Sequence, residues 1–194
     1  MKLSTLNEQP MTTYSTKEGL WRYFEKLMGE NNITLSMFDK TDHPDIHRYD
    51  NVTTSLYIHY TKTEGVTAYM CFTQNAINHK GKIYPVIQQK KTLNYKNIFN
   101  NFTLEIFKDM NKTYKRPVLS DDENSHDMQS VFVRWLNNPE KIGLKNFFIY
   151  DSKDKKTYHD STEVGRDIWD KDLSGKRYTL VFDFYGYLNE SSTN

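Results

Sequence analysis

Hydrophobic residues in this chain recur first at helical and then at strand spacing. In "STKEGLWRYFEKLMGENN", Leu20, Phe24 and Leu27 repeat at intervals of four and three, with Trp21 and Met28 flanking them. That spacing lines one face of a helix. Ser15, with Glu18 three residues on, has the capping-box pattern, and Gly29 with the asparagines behind it is a stop signal. A short second helix is expected over 33–38. "DKTDHPDIHRYDN" reads as a loop from its Pro, Asp and His content. The period then becomes two. Leu56, Ile58 and Tyr60 share one strand face, and Val66, Ala68, Met70 and Phe72 share another. "TKTEG" between them predicts a hairpin. "NAINHKG" reads as a turn and "KIYPVIQQKKT" as a third strand, with Pro85 marking an edge or a bulge.

Helical spacing returns with Ile98, Phe99, Phe102, Ile106, Met110 and Tyr114, which predict a long helix over 94–115. "RPVLS" is short and apolar enough for a buried strand. Met128, Val131, Phe132, Trp135 and Leu136 form the apolar face of a further helix. Ser120 or Ser125 can cap it, and Asp121, Asp122, Glu123 and Asp127 suit its positive end. "NNPEKIGL" turns, "KNFFIYD" reads as a strand, and "TEVGRDIWDKDLSG" as a short helix with a loop. "KRYTLVFDFYGYL" is the final strand. This order predicts an α/β (α+β) fold, with a mixed, mostly antiparallel sheet and helices packed on it. One domain over 16–190 is expected, behind a polar, flexible arm over 1–15.

Composition narrows the function. A chain of 194 residues can bury one sizeable core. Only 37% of it is hydrophobic, so the 14% that is aromatic must supply much of that core. Lys and Arg number 26 against 25 Asp and Glu, a net charge of +1 that gives no general pull toward nucleic acid or an anionic membrane. The lone cysteine, Cys71, sits in the apolar run "TAYMCFT" and reads as a small buried hydrophobe with no disulfide to form. No apolar run has the length of a membrane span, and "MKLSTLNEQPMTTYSTKEGL" lacks the apolar core of a signal peptide. A cytoplasmic location is expected.

The stretch from strand 82–88 through the long helix to "RPVLSDDENSHDMQSVFVRWL" and "GLKNFFIYD" resembles the Gcn5-related N-acetyltransferase (GNAT) fold. Ser120-Asp121, Ser125 and Trp135-Leu136 are similar to a segment of its phage-encoded members, and the resemblance spans about residues 50 to 185. It implies an acetyl-CoA site where a strand meets the long helix. There, glycine-rich backbone N–H groups would hold the pyrophosphate. The matching stretch here is "QQKKTLNYKN", with Gln88 or Gln89 at the first polar position and no glycine after it. Lys90, Lys91, Asn94 and Tyr95 are the residues that a remaining acetyl-CoA site would use.

Other constellations compete. His59-Tyr60-Thr61 and His159-Asp160-Ser161 both fit the H-x-[ST] pattern of two-histidine phosphoesterases, in which one His is base and the other acid. The first sits in a strand, whereas the second reads as a loop. His43, Asp45 and His47 are of zinc-ligating type, but no third convincing ligand accompanies them, and the segment reads as a solvated loop. No metal is expected. The acidic cluster from Asp121 to Asp127 reads as a helix start rather than a catalytic group.

Three functions remain open on these grounds: a GNAT-like binding or structural module without catalysis, an acyl-CoA-dependent N-acyltransferase, and a two-histidine phosphoesterase. The resemblance and the abundance of Asn, Lys and Tyr point to a phage or mobile-element protein, a virion component or a binder of a host factor. "YTLVFDFYGYL" has two readings: an aromatic edge strand that needs cover, from which a protein partner or self-association is expected, or an ordinary terminal strand with both faces buried in its own domain. Tyr178, Leu180, Phe182 and Phe184 would face the core, and Tyr185 and Tyr187 would extend beyond it.

Overall fold

The computed structural model describes residues 17–94, 101–121, 126–159 and 178–190. The expected arm, Tyr95, the acidic residues Asp122 and Glu123, Ser125, Asp160, Ser161 and the "TEVGRDIWDKDLSG" segment lie outside these ranges. In chain order the elements are α1 (Lys17–Asn31), a 3-10 turn (Leu35–Met37), β1 (Asp39–Lys40), β2 (Ile46–Asp50), β3 (Thr54–Thr61), β4 (Gly65–His79) and β5 (Lys82–Asn94). They continue with α2 (Phe102–Tyr114), β6 (Val118–Leu119), α3 (His126–Asn137), α4 (Pro139–Ile142), β7 (Asn146–Asp151), β8 (Lys156–His159), β9 (Tyr178–Asp183) and α5 (Tyr187–Glu190).

The described strands form a nine-stranded sheet in the order β1-β2-β3-β4-β5-β6-β9-β7-β8. The pairs β1–β2, β2–β3, β3–β4, β6–β9, β9–β7 and β7–β8 are antiparallel. β5 and β6 are parallel, with Ile87 opposite Val118 and Gln88 opposite Leu119. The α+β class with a mixed, mostly antiparallel sheet is therefore as expected. The chain forms two compact units. One comprises residues up to Thr73 with Gln89–Ile106, and the other comprises Gln74–Gln88 with the residues from Phe107 on.

In the first unit α1 lays Leu20, Phe24 and Leu27 against Leu56, Ile58, Val66, Tyr69 and Cys71 of β3 and β4. The cysteine is buried, as its apolar run predicts. The helix ends in a Schellman arrangement. Asn32 takes the left-handed conformation, its N–H donates to Gly29 O, and the Ile33 N–H donates to Met28 O. Two strands, β1 and β2, occupy the stretch expected to be a loop. Of their residues only Ile46 is buried, so the sequence carries no alternation there. The expected second helix shrinks to the 3-10 turn.

The "NAINHKG" turn shrinks as well, because β4 runs on to His79. Lys80 and Gly81 both have positive φ, the signature of a two-residue type I′ hairpin, and Asn78 Oδ1 accepts the Gly81 N–H at 3.0 Å. Pro85 sits just ahead of the stretch of β5 that pairs with β6. Ile87 N–H donates to Pro117 O at 3.0 Å, and a residue two positions earlier would aim its N–H the same way, where β6 does not reach. Pro85, which has no N–H, suits that position.

The second unit is built on aromatics. Phe107 of α2, Phe132 and Trp135 of α3 and Phe182 of β9 stack within 5.0 to 6.1 Å of one another. Ile77, Val86, Leu119, Phe148, Val181 and Leu188 make a further apolar cluster. Asn111 is wholly buried. Its Oδ1 accepts the N–H groups of Phe184 and Tyr185 at 2.7 and 3.1 Å, and its Nδ2 donates to Arg116 O at 2.7 Å. Asp183 accepts from Gly186, Tyr187 and Leu188 N–H and from Asn146 Nδ2, which fixes the bend after β9.

β9 is not an edge. It pairs with β6 on one side and β7 on the other, and Thr179 through Phe184 are all buried. The continuous apolar run therefore marks a strand covered on both faces, and the expectation of a partner drawn from an exposed aromatic edge is corrected. Tyr185 is partly exposed and Tyr187 opens α5.

Candidate functional site

The parallel β5–β6 pair joined through α2 is the place where the acetyl-CoA expectation can be examined. β5 remains a strand through Asn94, so the stretch expected to begin a helix at residue 94 is extended. Lys90 is half-buried on this strand, and Lys91 and Asn94 belong to it; Tyr95 lies beyond the described part. Successive N–H groups of an extended strand point to alternate sides. A pyrophosphate nest needs successive N–H groups to converge on one anion. Residues 90–94 therefore offer strand pairing and lysine charge, without a backbone cradle.

Two glutamines precede the lysines. In the second unit, Gln88 Oε1 accepts from Asn75 Nδ2 at 2.7 Å. In the first unit, Gln89 is fully buried and its Nε2 donates to Thr92 Oγ1 at 2.6 Å. Gln89 Oε1 has no hydrogen-bond partner among the described residues. Gln88 and Gln89 stood out in the sequence, but their partners Asn75 and Thr92 did not, because only strand geometry brings them within reach.

The Ser120-Asp121 segment plays a structural part. Ser120 N–H donates to Leu180 O at 2.8 Å, its Oγ accepts the Leu180 N–H at 3.0 Å, and its hydroxyl donates to Asp121 O. Ser120 thus extends the β6–β9 pairing by one residue. Asp121 is buried ahead of α3, and Asp127 falls in the first turn of that helix, in line with a helix start.

Histidines gather in the first unit. His43 precedes β2, His47 lies on β2 and His59 on β3. His59 is buried, with Nδ1 2.7 Å from Thr67 Oγ1 and its ring edge-on to Phe102. Burial lowers its pKa from the ordinary 6.5; Asp45 and Glu64 act against that shift, and His43 and His47 act with it. His47 stands edge-on to Tyr60 and is also lowered, by burial first and then by Lys40. His43 Nδ1 accepts the Asp45 N–H at 3.2 Å. Among the described residues no group of three or more His, Cys, Asp or Glu is arranged to hold a metal ion. His159 ends β8, so the second H-x-[ST] motif starts in a strand and not in the expected loop. His59 belongs to the first unit and His159 to the second.

No protein-family model and no curated protein matches the chain. Among solved structures, a chain of the crystal structure of the KacTA–DNA complex is similar to it, at 8% sequence identity. The match covers 95% of this chain and 91% of that one, with a TM-score of 0.45. At that score the likeness carries no argument about function. No helix among the described residues is long and apolar enough to cross a membrane.

Proposed function

We propose that the chain is a binding or structural module on a GNAT-like scaffold, phage or mobile-element in origin, without acyl-transfer chemistry. The scaffold half of this reading is supported by the parallel β5–β6 pair, the helix α2 that links them, and the insertion of β9 between β6 and β7. The loss of chemistry is supported chiefly by one observation. Residues 90–94 are strand in the stretch where the family resemblance calls for a glycine-rich turn. Lysine charge attracts phosphate as a point charge but does not replace a convergent set of backbone donors.

Thermal unfolding with increasing acetyl-CoA tests this reading, because any ligand of the folded state must stabilise it. The midpoint is expected to stay constant up to millimolar acetyl-CoA. A saturable rise that is lost in Lys90→Ala and Lys91→Ala would overturn the proposal and restore the N-acyltransferase reading.

A further inference from the structure

We propose that the flank formed by β1 and β2 is an acid-released edge of the sheet, with the buried ring of His59 as its sensor. Three observations combine. First, His59 is directly opposite Ile46 in the β2–β3 register, and directly opposed residues share one face of the sheet. Ile46 is the one buried side chain of β1 and β2, so departure of the flank uncovers His59. Second, His59 packs against β4 and α2 as well: Thr67 of β4 meets Nδ1, and Phe102 of α2 stands edge-on to the ring, with Glu105 in the first turn of that helix. Third, the charged and titratable groups around it are mixed. His43, Asp45 and His47 come from the flank, and Glu64 from the β3–β4 turn.

Protonation acts on this arrangement at His59. An imidazolium at His59 loses hydration while the flank is closed and regains it when the flank opens. In the turn ahead of β2, His43 Nδ1 accepts the Asp45 N–H at 3.2 Å. The neighbouring carbonyl of Asp45 accepts the Tyr60 N–H at 2.9 Å, so the same turn anchors the flank to β3. Acid thus favours the open state through His59. β1 and β2 are short, and β1 is exposed and outermost; when the flank leaves, half-buried Tyr49 of β2 gives up its packing on the α1 core, while Leu20, Phe24 and Leu27 remain packed on β3 and β4.

The sign follows from linkage. The closed state holds His59 below its ordinary 6.5 and the open state returns it there, so the open state binds more protons. The flank is fully held above pH 6.5. It loosens as pH falls below that value, by at most about tenfold per pH unit, and the loss levels off below the lowered value of the closed state.

Amide hydrogen exchange on the full chain, corrected for intrinsic rates, reads this out directly. Between about pH 7.5 and about 5.5, protection at residues 46–50 is expected to fall, by up to about tenfold, while Leu20, Phe24 and Leu27 keep theirs. In His59→Leu the fall is expected to disappear. Equal protection of 46–50 at both values overturns the proposal, as does an undiminished fall in His59→Leu. An equal loss in α1 overturns it too, since unfolding would then be global. If His59→Leu does not fold, the His59 ring resonance in the unaltered protein decides. A titration midpoint below 6.5 that tracks the exchange of 46–50 supports the proposal, and a midpoint at or above 6.5 overturns it.

Discussion

Asn111 braces more backbone than any residue the hydrophobic pattern draws attention to. Its carboxamide holds the N–H groups of Phe184 and Tyr185 and the carbonyl of Arg116. Asn111→Ala would strand two donors and one acceptor in or near the core. Each unsatisfied buried group costs about 1–3 kcal/mol, so we expect a loss of about 3 kcal/mol or more, read from the urea midpoint at constant m-value. A loss under about 1 kcal/mol would mean that water replaces the side chain. Nothing in the sequence singles this asparagine out. It sits beside Met110 in a helical stripe, and two of its three partners, Phe184 and Tyr185, are about seventy positions away. Cys71, by contrast, was readable because a free cysteine in an apolar β-rich run has few other fates. The His59–Thr67 pair lies between these cases. His59 stood out as half of a phosphoesterase motif, but Thr67 is brought to it by a register shift between His59 and Tyr60.

α1, α2 and α3 were legible because each buries a stripe at helical spacing, and the 54–61 and 65–72 strands because they alternate or run apolar. Phe102 and Ile106 of α2 are buried, and we expect Phe102→Ala and Ile106→Ala each to cost about 2–5 kcal/mol in chemical denaturation. Wild-type stability in both would contradict the packing of that helix. α2 ends at Tyr114, and Lys115 after it has φ 51°. A side chain there strains a left-handed backbone that glycine adopts freely. Lys115→Gly should therefore stabilise the protein by about 1 kcal/mol, measured in the same way. Other elements escaped the reading for physical reasons. β1 and β2 bury a single residue and so show no period. The end of β4 is polar because Gln74 to Ala76 face outward, which made a strand look like a turn. β9 is covered on both faces, so its unbroken apolar run passed for a sticky edge.

For the molecule as a whole, element order was enough to reach the α+β class with a mixed, mostly antiparallel sheet. The proposed absence of acyl-CoA chemistry rests on the local conformation of one strand end. The sequence could report missing glycines there, but not what the backbone does in their place. Thr92, joined to Gln89 across 2.6 Å, belongs to the answer: the side-chain bond spans residues that a tight phosphate-binding turn would re-orient. Backbone NMR of residues 88–94, assigned with and without acetyl-CoA, examines both the strand and the proposed loss of cofactor binding in one experiment. Our reading predicts extended secondary shifts from Lys90 to Asn94 that do not move at millimolar acetyl-CoA. Turn-like shifts at those residues, or a saturable displacement of their amide resonances, would contradict it.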